Sequence, residues 1–261
     1  MEMVVCVKQV PDASEVRVDP ATNNLMREGV PSIMNPFDRH AIEAALRLRE
    51  AVGGRITALS MGPPQAEEVL REAIALGVDE AVLVCDRAFA GSDTLATSYT
   101  LALAIRKLGA VDLVLCGQQS IDGETAQVGP ELAEHLGFAQ CSYVRALGKP
   151  AEGALEVERA AEDGYERVRL LLPAVLTVMK ELNEPRLPSL KGMLRAKKAE
   201  LRIWTAADLG ADPSRIGQAG SPTRVAGVFA PQRGKKAQLL TGSVVEQVQA
   251  LVERLQAERV I

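Results

Sequence analysis

The first half of the chain alternates short apolar runs with amphipathic stretches, and this alternation limits the fold more than any other feature. Met3–Val7, Arg55–Ser60, Ala81–Cys85 and Val111–Cys116 read as strands. Pro36–Val52, Pro64–Leu76, Ser92–Leu108 and Glu124–Leu136 read as helices, with Gly53-Gly54, Gly77 and Gly137 as stops and Ser92 or Asp93 as a cap. A strand followed each time by a helix brings the chain back to the same end of the sheet, so the strands must pair in parallel. The expected class is α/β: a doubly wound, mostly parallel sheet. Hydrophobic residues make up 47% and aromatics only 3%. A core of Val, Leu, Ile and Ala is what a parallel sheet covered on both faces requires.

The 261 residues are enough for one large α/β domain with an appendage, or for two small domains. After Gly137 the rhythm changes. Ala154–Arg159 and Glu166–Leu172 alternate in period two around Glu162-Asp163-Gly164 and read as an added hairpin, and Ala174–Lys180 as a further strand. Asp208–Lys236 is rich in Gly, Pro, Ser and Arg without a period, as a linker or extended arm would be. Ser243–Gln256 resumes a helix with Val244, Val248, Leu251 and Leu255 on one stripe. That stripe needs a cover, either the helix's own domain or another subunit. The expected division is residues 1–231 as the α/β domain and 232–261 as a C-terminal arm and helix.

A net charge of −4 argues against a nucleic-acid binder. Cys6, Cys85, Cys116 and Cys141 form no CxxC pair, so buried thiols in a reducing compartment are the simpler expectation. Two histidines do not make a His-rich metal centre. With no basic leader and no membrane-length apolar run, the reading is a soluble cytoplasmic protein. There is no GxGxxG after a strand, no GxxxxGK[ST] and no GxSxG, which removes the main support for a dinucleotide dehydrogenase, a Walker NTPase or an acyl transferase.

Three loops carry the chemistry. Ser120–Glu131 joins a strand to a helix and crowds Asp122, Glu124, Thr125 and Gln127 beside helix N-terminal amides, where a phosphate or ribose could bind. The same spacing also serves simple capping by Asp122 or Glu124. Ser32–Asp38 precedes the first helix and reaches the same crevice, with Pro36 in the first turn and Asn35 as cap. Here too capping, with Phe37 as a hydrophobic staple, is an alternative. In Leu182–Lys198, Pro185 and Pro188 forbid a regular helix and Gly192 loosens it. Leu187, Leu190, Met193 and Leu194 lie there among Lys191, Arg195, Lys197 and Lys198, as an apolar docking knob with a basic rim or as leucines folded back on the core.

The opening VCVKQVPD, the MNPF before the first helix, the DGETAQVGP loop and NEPRLPSLKGM with its following AKK occur in one order and spacing. Together they resemble the beta subunits of electron transfer flavoproteins over nearly the whole chain. The resemblance implies an adenine-nucleotide-binding Rossmann-like fold in a heterodimer with an alpha subunit. It implies a carrier rather than an enzyme, taking electrons from flavoprotein dehydrogenases, such as the acyl-CoA dehydrogenases of fatty acid beta-oxidation, to a quinone oxidoreductase. By position, the AMP pocket would take Cys6, Asn35, Pro36, Phe37, Asp38 and Met61. It would also take Ser120, Ile121, Asp122, Gly123, Glu124, Thr125, Ala126, Gln127, Val128, Gly129, Pro130 and Glu131.

The same likeness sets Phe37 near an FAD held mainly by the alpha subunit. It makes residues 182–199 the partner-docking loop with Leu190 as anchor, beside Leu187, Met193 and Leu194. The C-terminal helix would then wrap the alpha subunit. Gly123 and Ala126 stand where many AMP-holding members carry acidic or amide residues, and DGETAQVGP looks more like electron-bifurcating members with a second FAD. Ala13 lacks the aromatic that some members set against the flavin. A stand-alone nucleotide-binding regulator of the same fold and a nucleotide-activating enzyme are the competing readings. The latter has no acid–base pair or pyrophosphate-binding glycine run to support it. No side chain here stores an electron at modest potential without a metal or disulfide, so a flavin must do so.

Overall fold

The computed structural model describes residues 1–12, 17–18, 25–26, 31–227, 237 and 239–261. After β1 (Glu2–Cys6) come two short antiparallel ribbons, β2 (Gln9–Pro11) with β5 (Ser32–Met34) and β3 (Arg17–Val18) with β4 (Leu25–Met26). There follow α1 (Pro36–Val52), β6 (Arg55–Met61), α2 (Glu67–Leu76), β7 (Glu80–Val84), α3 (Thr94–Leu108), β8 (Leu113–Gly117) and α4 (Val128–Leu136). The rest comprises β9 (Ala139–Leu147), β10 (Ala154–Ala161), β11 (Gly164–Leu171), β12 (Ala174–Val178), α5 (Leu190–Lys198), β13 (Arg202–Trp204), α6 (Ala206–Leu209) and α7 (Val244–Ala257).

Nine strands form one sheet in the order β11-β10-β9-β12-β8-β1-β6-β7-β13. It is parallel from β9 through β13, and the β9-β10-β11 edge, with its hairpin, is antiparallel. Successive residues of β1 serve opposite cores, because side chains alternate faces along a strand. Met3 and Val5 join Ala41, Ala45, Leu70 and Ile74 of α1 and α2, whereas Val4 and Cys6 join Ala102, Ile105 and Leu132 of α3 and α4. Fully buried side chains such as Leu70 and Leu115 each stabilise the fold by roughly 1.5–3 kcal/mol. The fold is therefore doubly wound α/β. From β1 the chain steps outward to β6 and β7, then α3 returns it to β8 on the other flank of β1. The reversal lies between β1 and β8.

Several expectations are corrected. The final helix of the first half starts at Val128 rather than Glu124. Pro185 and Pro188 end before α5, which begins at Leu190 with Ser189 Oγ accepting the Gly192 amide at 3.0 Å. Gly192 is required there, since a Cβ would overlap the Ala75 carbonyl oxygen at the end of α2. The two helices also cap each other. Arg195 donates to Ile74 O at 2.8 Å and to Val78 O, and Arg71 donates to Ala196 O at 2.9 Å and Ala199 O at 3.1 Å.

Of the expected linker or arm at 208–236, residues 215–223 bind back on the domain, with Ile216 in its core, Gly217 on Ser92 and Thr223 on Asp93, and residues 228–236 lie outside the described residues. The expected boundary at 231/232 and Ala13 lie outside the described residues. Among the described residues nothing buries α7: none of its side chains is buried, and Val244 and Val248 are 75% and 55% exposed. Among the described residues no helix is long and apolar enough to cross a membrane.

Candidate functional site at the sheet's switch point

In open α/β sheets the crevice at the strands' carboxyl ends, where strand order reverses, receives ligands. Here a cavity of about 360 Å³ opens at that point, beside the ends of β1 and β8. Cys6, Cys116, Leu59, Met61 and Leu101 supply its apolar lining, and Lys8, Asn35, Asp38 and Ser120 part of its polar wall. Three helices begin at it: α1 after Asn35, α3 at Asp93–Thr94, and α4 at Gln127–Gly129. The first amides of a helix lack intrahelical partners and carry the positive end of its dipole, so the three starts together favour an anion.

Glycines allow two of these helices their approach. A Cβ on Gly117, at the end of β8, would overlap Asp38 Oδ1 and come within 2.7 Å of Phe37 Cβ. A Cβ on Gly129 would overlap Thr177 Cγ2 on β12. Asn35 holds the first wall. Buried at 1% exposure, its Nδ2 donates to Asp38 Oδ1 and Gln119 O, both at 2.9 Å, and its Oδ1 accepts the Ile121 amide at 3.2 Å. Its side chain is thus a clasp between loops and does not cap α1.

Lys8 Nζ reaches Asp122 Oδ1 and Oδ2 at 2.7 and 2.9 Å and Ser120 Oγ at 3.3 Å, tying the end of β1 to the opposite loop. Burial would raise the Asp122 carboxyl, but hydrogen bonds from Lys8 and Ser120 outweigh it and hold the group below its ordinary range. Asp122 is therefore not an α4 cap. Glu124 and Ala126 have positive φ, 53° and 54°, so a right-handed helix can include neither, and α4 begins at Val128 after Gln127. Such non-glycine residues store about 1–3 kcal/mol each and cluster where a loop is shaped for a ligand.

Burial pushes the Asp38 carboxyl up to about 7, against the pull of Asn35 and of the Lys8 and Gly117 amides. The unfolded chain's Asp38 ionises near 3.8. Between about pH 4 and pH 7 the folded state binds the extra proton, so this group's contribution to stability falls as pH rises and levels off above 7. Asp38→Asn is expected to remove that decline. Thermal unfolding of both proteins from pH 4 to pH 8 checks it, and parallel curves would locate the pH dependence in other groups.

Of the expected residues, Cys6, Asn35, Asp38, Met61, Ser120, Gly123, Thr125, Ala126, Gln127, Val128 and Gly129 line the cavity. The others stand off it. Pro36 is exposed, Phe37 lies against Gly117, and Ile121 gives its amide to Asn35. Asp122 pairs with Lys8, Glu124 shapes the turn, and Pro130 sits in the first turn of α4. Glu131 accepts from Thr94 at 3.1 Å and Ser98 at 3.3 Å. Sequence reasoning missed Lys8 and the wall Ser92, Asp93, Thr94 and Thr97. The signal was available: every βα loop of a parallel sheet opens at the same edge, and these loops follow β1 and β7.

The second candidate surface stands on a fixed base. Asn183 Nδ2 donates to His40 O at 2.9 Å, and Arg47 donates to Glu184 O at 3.2 Å. Arg186 bridges Glu43 at 2.7 Å and Glu50 at 2.6 Å. Beyond this base Leu187, Leu190, Met193 and Leu194 are 86%, 72%, 42% and 54% exposed, so these side chains do not fold back on the core.

The electron transfer flavoprotein domain model matches residues 22–209. The electron transfer flavoprotein subunit beta of Thermoanaerobacterium thermosaccharolyticum is 52% identical over 262 residues, covering 100% of both chains. FixA of Azorhizobium caulinodans is 48% identical over 98% of this chain and 94% of its own. CarD of Acetobacterium woodii, named as a subunit of a caffeyl-CoA reductase-Etf complex, is 46% identical over 100% of both chains. With a doubly wound sheet and a domain match across most of its length, the chain belongs to the electron transfer flavoprotein family, as a beta subunit.

Proposed function

We propose that this beta subunit fills its switch-point cavity with the adenosine part of AMP and, paired with an alpha subunit that holds most of an FAD, carries electrons between flavoprotein dehydrogenases and a quinone-reducing oxidoreductase. The observation that carries this reading is the cavity itself, apolar on one side and ringed by three helix starts. Leu59, Met61 and Leu101 suit an aromatic base. The α3 and α4 amides with the hydroxyls of Thr94, Ser120 and Thr125 suit ribose and phosphate. Lys8 is already paired with Asp122, so a phosphate's charge would be met mainly by helix amides. A bound flavin supplies the electron storage that the side chains lack. The chain's own part is to hold nucleotide, exclude water and dock partners.

A second reading, a second FAD in the cavity and electron bifurcation, is favoured by the small side chains of Gly123 and Ala126. A Cβ at Gly123 would meet only Ser120 Oγ, at 3.5 Å, which leaves room for a longer ligand.

The exposed leucines on the anchored base fit a small, transient docking surface, which a carrier that leaves after each transfer needs. The uncovered stripe of α7 fits a helix that seats on the alpha subunit. Co-expression with an alpha subunit should yield a stable yellow heterodimer, whereas a colourless monomer that binds ATP alone would favour a regulator. In that heterodimer Leu190→Ala is expected to slow reduction by an acyl-CoA dehydrogenase about tenfold while flavin content stays constant. Equal rates would remove Leu190 as the anchor.

A further inference from the structure

Beyond α6 the chain runs as a strap across the start of α3. Ile216 is buried in the core that contains Phe89 and Tyr99, and the Arg215 guanidinium lies 3.9 Å from the centre of the Tyr99 ring. Gly217 is left-handed at φ 57°, and a Cβ there would overlap the Ala88 carbonyl oxygen. Its amide donates to Ser92 Oγ at 3.1 Å. Ser221 Oγ accepts the Asp93 amide at 2.8 Å. Thr223 donates its amide at 3.0 Å and its hydroxyl at 2.8 Å to Asp93 Oδ2.

The two oxygens of Asp93 therefore have different tasks. Oδ2 holds the strap, and Oδ1 accepts the Ala96 amide at 3.1 Å and caps α3. Ser92, Asp93 and Thr94 form the cavity wall on their inner side. Thr94 Oγ1 reaches across to Gln127 Oε1 at 3.1 Å, which joins the α3 wall to the α4 loop.

We propose that Asp93 is a positioning residue for the nucleotide: Ser221 and Thr223 clamp it from outside, and it sets the α3 amides and Thr94 at the cavity. Hydrogen bonds to a carboxylate are among the stronger kinds, so the strap fixes this wall rather than merely covering it.

The inference rests on the cavity holding an adenosine nucleotide, and its test separates the two. In the co-expressed two-chain complex, the Ser221→Ala/Thr223→Val double variant is expected to release AMP about tenfold faster than wild type. Flavin absorbance and heterodimer assembly are expected to stay unchanged, and Thr223→Ser alone should release AMP at the wild-type rate. If wild type retains AMP and the double variant releases it equally slowly, the role of Asp93 is overturned while the cavity reading stands. A wild-type complex that retains no adenosine nucleotide beyond its FAD overturns both.

Discussion

Replacing Gly117 by alanine is expected to destabilise the chain by about 3 kcal/mol and to empty the cavity of nucleotide. The added methyl would overlap Asp38 Oδ1 and lie 2.7 Å from Phe37 Cβ and 2.9 Å from the Phe37 carbonyl carbon. Backbone cannot swing aside as a long side chain can, so the first turn of α1 must move off β8. That shift pulls Asn35 and Asp38 away from the loop they hold. Gly123→Ala is the matched control. Its methyl would meet only Ser120 Oγ at 3.5 Å, and its effect on stability is expected to stay within about 0.5 kcal/mol. Urea unfolding of both variants, with nucleotide content measured on the same samples, checks the contrast. Equal costs would mean that the close contact of α1 with β8 does not govern the site.

The second large effect is expected at Asn35. Asn35→Ala removes the donor to Asp38 Oδ1 and Gln119 O and the acceptor of the Ile121 amide. Each buried polar group left without a partner costs about 1–3 kcal/mol. Because the site adjoins a cavity that water can enter, a total of about 3 kcal/mol is expected rather than the full sum. Asn35→Asp is expected to be worse at pH 8. It keeps an acceptor for Ile121 but sets a second carboxylate against Asp38 and turns a donor toward Gln119 O into an acceptor. The gap between the two variants should narrow as pH falls and the carboxyl pair takes up a proton. Thermal unfolding at pH 5 and pH 8 tests this, and an aspartate variant as stable as wild type at pH 8 would contradict the clasp.

The parts of the fold legible in the sequence are those where one strand or helix dictates its own pattern. β1, β7 and β8 are buried on both faces and read as nearly continuous apolar runs, β6 as an apolar run broken only by the buried Thr57 and Ser60, and Gly53, Gly77 and Gly137 mark helix ends. β9 was not legible. Its buried residues Cys141 and Val144 are three apart, because Tyr143 at φ 60° interrupts the alternation next to a register shift against β12.

The true start of α4 was hidden too. Left-handed backbone falls on Glu124 and Ala126, residue types that give no sign of it. The three loops of interest were visible as loops, and a crevice shared by Ser32–Asp38 and Ser120–Glu131 was expected, but the side-chain pairs that tie the cavity's walls were not. Lys8 and Asp122 are 114 residues apart, and Asp93 and Thr223 are 130 apart. Nothing local in either partner announces such a pair, and only the order of the strands brings them together.

Whether the cavity holds a nucleotide is tested most simply by counting the nucleotides released when the purified two-chain complex is denatured. One adenosine-bearing nucleotide per heterodimer is expected beyond the flavin shared with the alpha subunit: one FAD with one AMP, or two FAD if the cavity takes the longer ligand. A fully flavinylated heterodimer that releases one FAD and no other adenosine compound would contradict it.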